Sequence, residues 1–171
     1  MKKKLILSLA LISGMLSALC AQNPVISTKY SDKEITTLIQ NYKKARHHDV
    51  WPDDILQKKN QQDFSYTANA EWETDNEIYE ADFEIKFRDF EAFYDKEGNL
   101  LMYKKEIHEK EIPAIVKTAA ESKYPKFSFK DIQKIVKGTE TFYKIEMEFK
   151  DTEVTVLVTN EGKLISEKVD Y

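Results

Sequence analysis

The chain is 171 residues long, 33% of them charged, with a formal net charge of −4, one cysteine, four glycines and four prolines. An acidic surface is a poor match for nucleic acid or anionic lipid, which both need a basic face, and a lone cysteine cannot build a disulfide framework. So few glycines and prolines exclude a linker or a low-complexity tail, which leaves a chain that must hold itself together by a core.

The first element predicted is a secretory signal peptide over residues 1–21. Lys2, Lys3 and Lys4 form a basic start, residues 5–16 are apolar with only small interruptions such as Ser8, Ser13 and Gly14, and Ala21 offers a small residue at a cleavage site before Gln22. The run is too short for a bilayer, which needs about 20 apolar residues. Cys20 raises the rival of a lipid-anchored protein, but Leu19 stands where that processing favours a small residue, so Cys20 is expected to leave with the signal. The mature chain then runs over 22–171, is periplasmic or secreted, and loses the three lysines, which moves its charge from −4 to −7.

Residues 22–48 form an N-terminal helix segment. Ser31-Asp32-Lys33-Glu34 is a capping box, and Ile35, Leu38, Ile39 and Tyr42 follow at the spacing of one helix face, predicting a helix over 32–46. Pro52-Asp53-Asp54 predicts a second, short helix to about residue 60, with Pro in its first turn. From Phe64 the period becomes two: Phe64, Tyr66, Ala68, Ala70 and Trp72 alternate with polar residues, and so do Tyr79, Ala81, Phe83, Ile85 and Phe87. This is the pattern of half-buried antiparallel strands. Strands over 90–95 and 99–106 follow, joined through Gly98. A helix led by Pro113 and stopped at Tyr124-Pro125 comes next, with strands over 127–137, 141–150, 153–160 and 163–169.

The two halves match. A shift of 64 residues lays 71–107 on 135–171 without a gap: Tyr79 falls on Tyr143, Glu84 on Glu148, Lys86 on Lys150, Glu97-Gly98 on Glu161-Gly162, Leu100 on Leu164 and Lys104 on Lys168. Apolar pattern carries the match further, with Ala81, Phe83 and Ile85 on Ile145, Met147 and Phe149. The mature chain therefore reads as a tandem, 49–107 and 108–171, of a helix followed by a four-stranded antiparallel meander. Eight strands in an α+β fold are expected, with helices packed on one face of a shared sheet.

Ile112-Pro113, Tyr124-Pro125, residues 143–149 and Asn160-Glu161-Gly162-Lys163-Leu164 resemble the PepSY-like family of small exported bacterial proteins. The likeness covers about 52–171; the first half shares Pro52 and the 95–100 turn but lacks the Tyr-Pro stop. It implies a fold like that of the beta-lactamase-inhibitor protein and an envelope location. It implies little about activity, because a fold does not carry a function. The resemblance implies disulfide bonds in true inhibitors of that fold, and this chain has no cysteine to spare.

No catalytic residue, metal site or cofactor is expected. His47-His48-Asp49 is the one clustered triplet, and neighbours on a helix point about 100° apart, which rarely serves one metal. Glu71, Glu73, Asp75, Glu77, Glu80, Asp82 and Glu84 form an acidic run without a calcium loop, read as a solvated face shared with Lys86 and Arg88. No nucleophile stands in a Gly-x-Ser-x-Gly context, and no Gly-rich phosphate loop is present. Phe93 and Tyr103 fall out of step with the inward set Phe90, Ala92 and Tyr94. They are the candidate partner-binding residues, on an open sheet face, unless their strands are central and buried on both sides. The function expected is a non-enzymatic exported module that binds a protein or peptide partner through that face. The alternatives are a regulator or inhibitor of an envelope enzyme, a small enzyme with an unrecognised site, or a plain scaffold.

Overall fold

The computed structural model describes residues 24–65 and 69–170. The signal-peptide reading with Cys20, and Tyr66 and Ala68 of the strand reading, lie outside those residues. No helix among the described residues is long and apolar enough to cross a membrane.

Helix α1 spans Asp32–Tyr42 and starts as the sequence dictates. The Ser31 hydroxyl accepts the Glu34 amide at 3.3 Å, and the Glu34 carboxylate accepts the Ser31 amide at 2.8 Å. It buries Ile35, Ile39 and Tyr42, then stops short of residue 46. The His47 ring turns back and stacks on Tyr42, centroids 4.0 Å apart. His48 and Asp49 are not a helix end: they make a two-residue strand, β1, paired with Thr74 and Glu73. Helix α2 spans Asp54–Phe64 and is capped by Asp53, whose carboxylate accepts the amides of Ile55 and Leu56 at 3.1 Å. Pro52 thus precedes the cap instead of opening the first turn. Leu56, Asn60 and Phe64 are its buried stripe at four-residue spacing, so Phe64 belongs to the helix and the strand expected there begins at Glu71.

Strands β2 (Glu71–Thr74), β3 (Ile78–Glu84), β4 (Asp89–Asp95) and β5 (Leu100–Glu106) follow. A short 3-10 turn, Glu109–Glu111, leads to α3 (Ala114–Lys123). Then come β6 (Ser128–Lys137), β7 (Glu140–Phe149), β8 (Thr152–Thr159) and β9 (Leu164–Asp170). All nine strands form one sheet in chain order, every neighbour antiparallel. The strand expected to run on to Arg88 ends at Glu84, because residues 85–88 close a tight turn with positive φ at Lys86 and Phe87. Lys86 and Arg88 therefore leave the acidic strand face.

The helices of the two halves share a face, and the leading helix takes the other. Successive strand residues point to opposite sides. Phe90, Ala92 and Tyr94 of β4 pack with Leu56 and Phe64 of α2, whereas Phe93 packs with Ile35, Ile39 and Tyr42 of α1. Val116 and Ala120 of α3 cover Ile132, Ile145, Met147, Val154 and Val156. Thus α2 and α3 lie side by side on one face, and α1 lies across the other. Matching turns seat the two neighbours. Gly98 at φ +80° and Gly162 at φ +81° lie against α2 and α3, where an added Cβ would meet Lys59 Cγ at 3.0 Å and Ile115 Cγ1 at 2.8 Å.

Candidate functional site

Between the ends of α2 and α3, over the junction of β5 and β6, the sheet leaves a cleft of about 600 Å³. Its apolar floor starts from Phe64, whose ring meets Phe83, Phe90 and Tyr103 edge-on at 5.0, 5.7 and 5.6 Å. Tyr143 extends this floor into the second half. The strand part of this lining is a direct product of alternation: Phe83, Phe90, Tyr103 and Tyr143 stand at inward positions of their strands, and Phe64 at the end of α2 packs on the first three.

Charge in the cleft runs against the net charge of the chain. Lys105 of β5 and Lys134 of β6 are also at inward positions, and the register sets them directly opposite each other. Like charges facing across a strand pair are destabilising. Neither lysine has an ion-pair partner among the described residues; the Lys105 ammonium sits over the Phe90 ring at 5.7 Å. Burial lowers the Lys105 pKa, and Arg88 and Lys134 lower it further against the pull of Glu111. Arg88 is paired with Glu111 at 2.5 Å. Glu111 is held below its ordinary range in spite of its burial, by the His108 amide and by Arg88. Asp63, at the α2 end of the cleft, is pushed up by burial and accepts from the Tyr94 hydroxyl at 3.4 Å. The rim carries Lys86, and next to it Phe87 stands 90% exposed on its strained turn. Four cations against two carboxylates, on an aromatic floor, suit an anionic group joined to apolar surface.

The two residues singled out from sequence do not form a solvent-facing pair. Phe93 is 1% exposed and lies beneath α1, with the Tyr42 ring against it at 5.9 Å. Tyr103 is 4% exposed and points the other way, into the floor of the cleft. Their strands are central and covered on both sides, which corrects the open aromatic face. The sheet face around α1 carries acidic groups instead. There Glu80 of β3 and Glu91 of β4 are half-buried, and burial together with neighbouring carboxylates pushes Asp82 up to about 6. Sequence reasoning missed the cleft because Lys105 and Lys134 belong to no motif and were not singled out. The signal was present: each keeps step with the buried residues of its strand, Tyr103 and Ile132.

The nine-stranded antiparallel sheet and its helices define an α+β protein of the beta-lactamase-inhibitor-like class. The chain belongs to the PepSY-like family, described as "Putative beta-lactamase-inhibitor-like, PepSY-like", whose family profile matches it twice, over residues 37–102 and 102–166. No curated protein sequence matches it. Among solved structures, a DUF2874 family protein from Bacteroides uniformis is similar at a TM-score of 0.61 and 18% identity, covering 70% of this chain and 90% of that one. A protein from Bacteroides eggerthii described as putative periplasmic is similar at 0.62 and 16% identity, over 70% and 90% of the two chains. A BLIP-like protein from Bacteroides fragilis follows at 0.58 and 23% identity, over 70% and 87%. At these identities the likeness is one of fold.

Proposed function

We propose that the protein is an exported, non-enzymatic binding module that holds a protein or peptide partner by a carboxylate-bearing segment laid in the cleft. Its two halves, 49–107 and 108–171, are copies of one unit, and the cleft is the seam between them. The single observation that carries this reading is the Lys105–Lys134 pair on the cleft floor. Two half-buried lysines face each other without a direct ion-pair partner among the described residues, and an incoming carboxylate offsets that repulsion while the aromatic floor takes up apolar surface. The basic and apolar run of residues 2–16 and the periplasmic description of one structural relative support export. Inhibition or regulation of an envelope enzyme would use the same surface, with the enzyme as the partner.

The test is affinity capture from envelope extract, followed by an array of acidic peptides and their amidated counterparts. Wild-type protein retains a specific partner and prefers the acidic peptides. Lys105→Glu combined with Lys134→Glu loses both. Retention of the same partner by that double variant removes the cleft from the reading.

A further inference from the structure

Where α2 meets the start of β2, the fold leaves a second hollow of about 220 Å³ that shares no lining residue with the cleft. In a chain with 33% charged residues, its polar lining is mostly neutral: four carboxamides, Gln57, Asn60, Gln61 and Asn69, against one carboxylate, Glu71. No lysine or arginine among the described residues lines it. Gln57, Asn60 and Gln61 come to one side of α2 by the three- and four-residue spacing of helix neighbours. Trp72 and Pro52 supply apolar wall.

Two of these amides are already held in place. Gln57 Nε2 donates to the Pro52 carbonyl at 2.8 Å, which leaves the Gln57 oxygen as an acceptor. Asn60 interrupts the apolar stripe between Leu56 and Phe64; it is 1% exposed and lines the hollow all the same. A polar group is costly to bury unless it is bonded. The Asn60 oxygen accepts the Tyr94 hydroxyl at 3.1 Å, which leaves its NH2 as a donor. A hydroxyl group donates and accepts at once, so a fixed acceptor beside a fixed donor is the pair it needs. Trp51 stands against this lining, 83% exposed. Its backbone is tied on both sides: the Val50 amide donates to the Trp72 carbonyl at 2.9 Å, and Pro52 restricts the residue before it. A fixed, solvent-facing indole offers a large contact area at low entropic cost.

We propose that this hollow is a binding site for a neutral saccharide, with one pyranose ring laid on the Trp51 indole and its hydroxyls bonded to the carboxamides. The C–H face of a pyranose is apolar and its hydrogens are positively polarised, which suits the negative face of an aromatic ring. Around its edge the same sugar carries hydroxyls, which suit groups that donate and accept without bearing charge. Pockets for drug-sized ligands run to about 300–1,000 Å³, so a hollow of 220 Å³ takes a single ring and leaves the rest of an oligosaccharide outside. A nucleotide would also stack on tryptophan, but no cation lines the hollow to pair with its phosphate, and the Glu71 carboxylate repels it. With a sugar, Glu71 accepts from a hydroxyl at the rim. The hollow and the cleft have no residue in common, so this site stands independently of what the cleft holds.

The experiment is titration of the purified protein with cellotriose, mannotriose and triacetylchitotriose, and with adenosine monophosphate as the competing class, read by tryptophan fluorescence and ligand-observed NMR. The chain has two tryptophans and Trp72 is buried, so changes in emission and in acrylamide quenching report on Trp51. At least one trisaccharide binds wild-type protein with a Kd of about millimolar order, shifts the emission to shorter wavelength and shields Trp51 from acrylamide. Trp51→Ala, at an exposed position, keeps the melting temperature and weakens binding at least tenfold, followed by NMR. Gln61→Ala combined with Asn69→Ala, both exposed, weakens it several-fold, whereas Ile165→Ala, exposed on β9, leaves it unchanged. Saccharide binding that survives Trp51→Ala at full strength overturns the site. So does the failure of all three trisaccharides to bind wild-type protein, or tighter binding of the nucleotide than of any of them.

Discussion

At the scale of single residues, the most informative positions break the local pattern. Lys105 and Lys134 stand where alternation calls for apolar side chains, and they face each other. A cross-strand pair of opposite charge contributes about 0.2–1 kcal/mol, and a like pair costs a similar amount. Lys134→Glu should therefore raise stability by about that much, measured by urea unfolding at neutral pH, while it weakens partner capture. A change that stabilises the fold and harms binding would mark the lysines as kept for recognition. Phe93 and Tyr103 teach the reverse lesson. They were noticed because they are aromatic and out of step with their neighbours, yet both are core residues on opposite faces. Parity alone gives the face of a strand residue. Whether anything covers that face depends on elements far along the chain.

At the scale of elements, α1 is the decisive one. Its capping box, apolar stripe and start were legible in residues 31–42, because those signals are local. Its destination was not, because its partners Phe93, Leu101 and Met102 carry no mark that separates cover by a helix from exposure to water. The anchor is also remote in sequence: the Asp32 carboxylate accepts the Thr139 amide at 2.8 Å and the Thr139 hydroxyl at 2.6 Å. Gly138 makes this approach possible, since a Cβ there would lie 1.9 Å from the Asp32 carboxylate. These bonds, the Thr139 hydroxyl first, hold the Asp32 pKa below its ordinary value. A depressed carboxylate contributes stability that is present above its unfolded pKa and is lost as pH falls through the folded one. Asp32→Ala should thus speed amide hydrogen exchange in α1 and the 138–139 turn at neutral pH. The difference from wild type should shrink in acid; a difference independent of pH would exclude the carboxylate as the anchor. The early end of β3 belongs to the same class of miss. A tight turn with positive φ at Lys86 and Phe87 has no glycine to announce it.

At the scale of the whole molecule, the α+β class and the two-fold family match rest on patterns spread over many residues, and such patterns survive local errors. Seven of the eight expected strands lie close to their predicted places, and the eighth, expected from Phe64, starts late at Glu71 because a helical stripe reaches Phe64. The two halves are joined by the β5–β6 ladder and by α1, which contacts both β3 and β6. Damage to one half should accordingly be felt by both. Ile145→Ala, at a fully buried position under α3, is expected to cost about 2–5 kcal/mol. Calorimetry should show one transition moved to lower temperature; two separated transitions would mean that the halves unfold independently.

The order of strands in the sheet sets how the chain finds this structure. Because each strand pairs with the one just before it, every step of sheet growth closes only a short loop, and growth can begin at any hairpin and spread outward. The contacts of the leading segment are the exception: Tyr30 reaches Asp95 across 65 positions, and Asp32 reaches Thr139 across 107. Refolding should therefore run in two kinetic stages, rapid zippering of the ribbon and then a slower latching of the leading helix across it. A chain caught between the two stages would have the underside of its ribbon still bare.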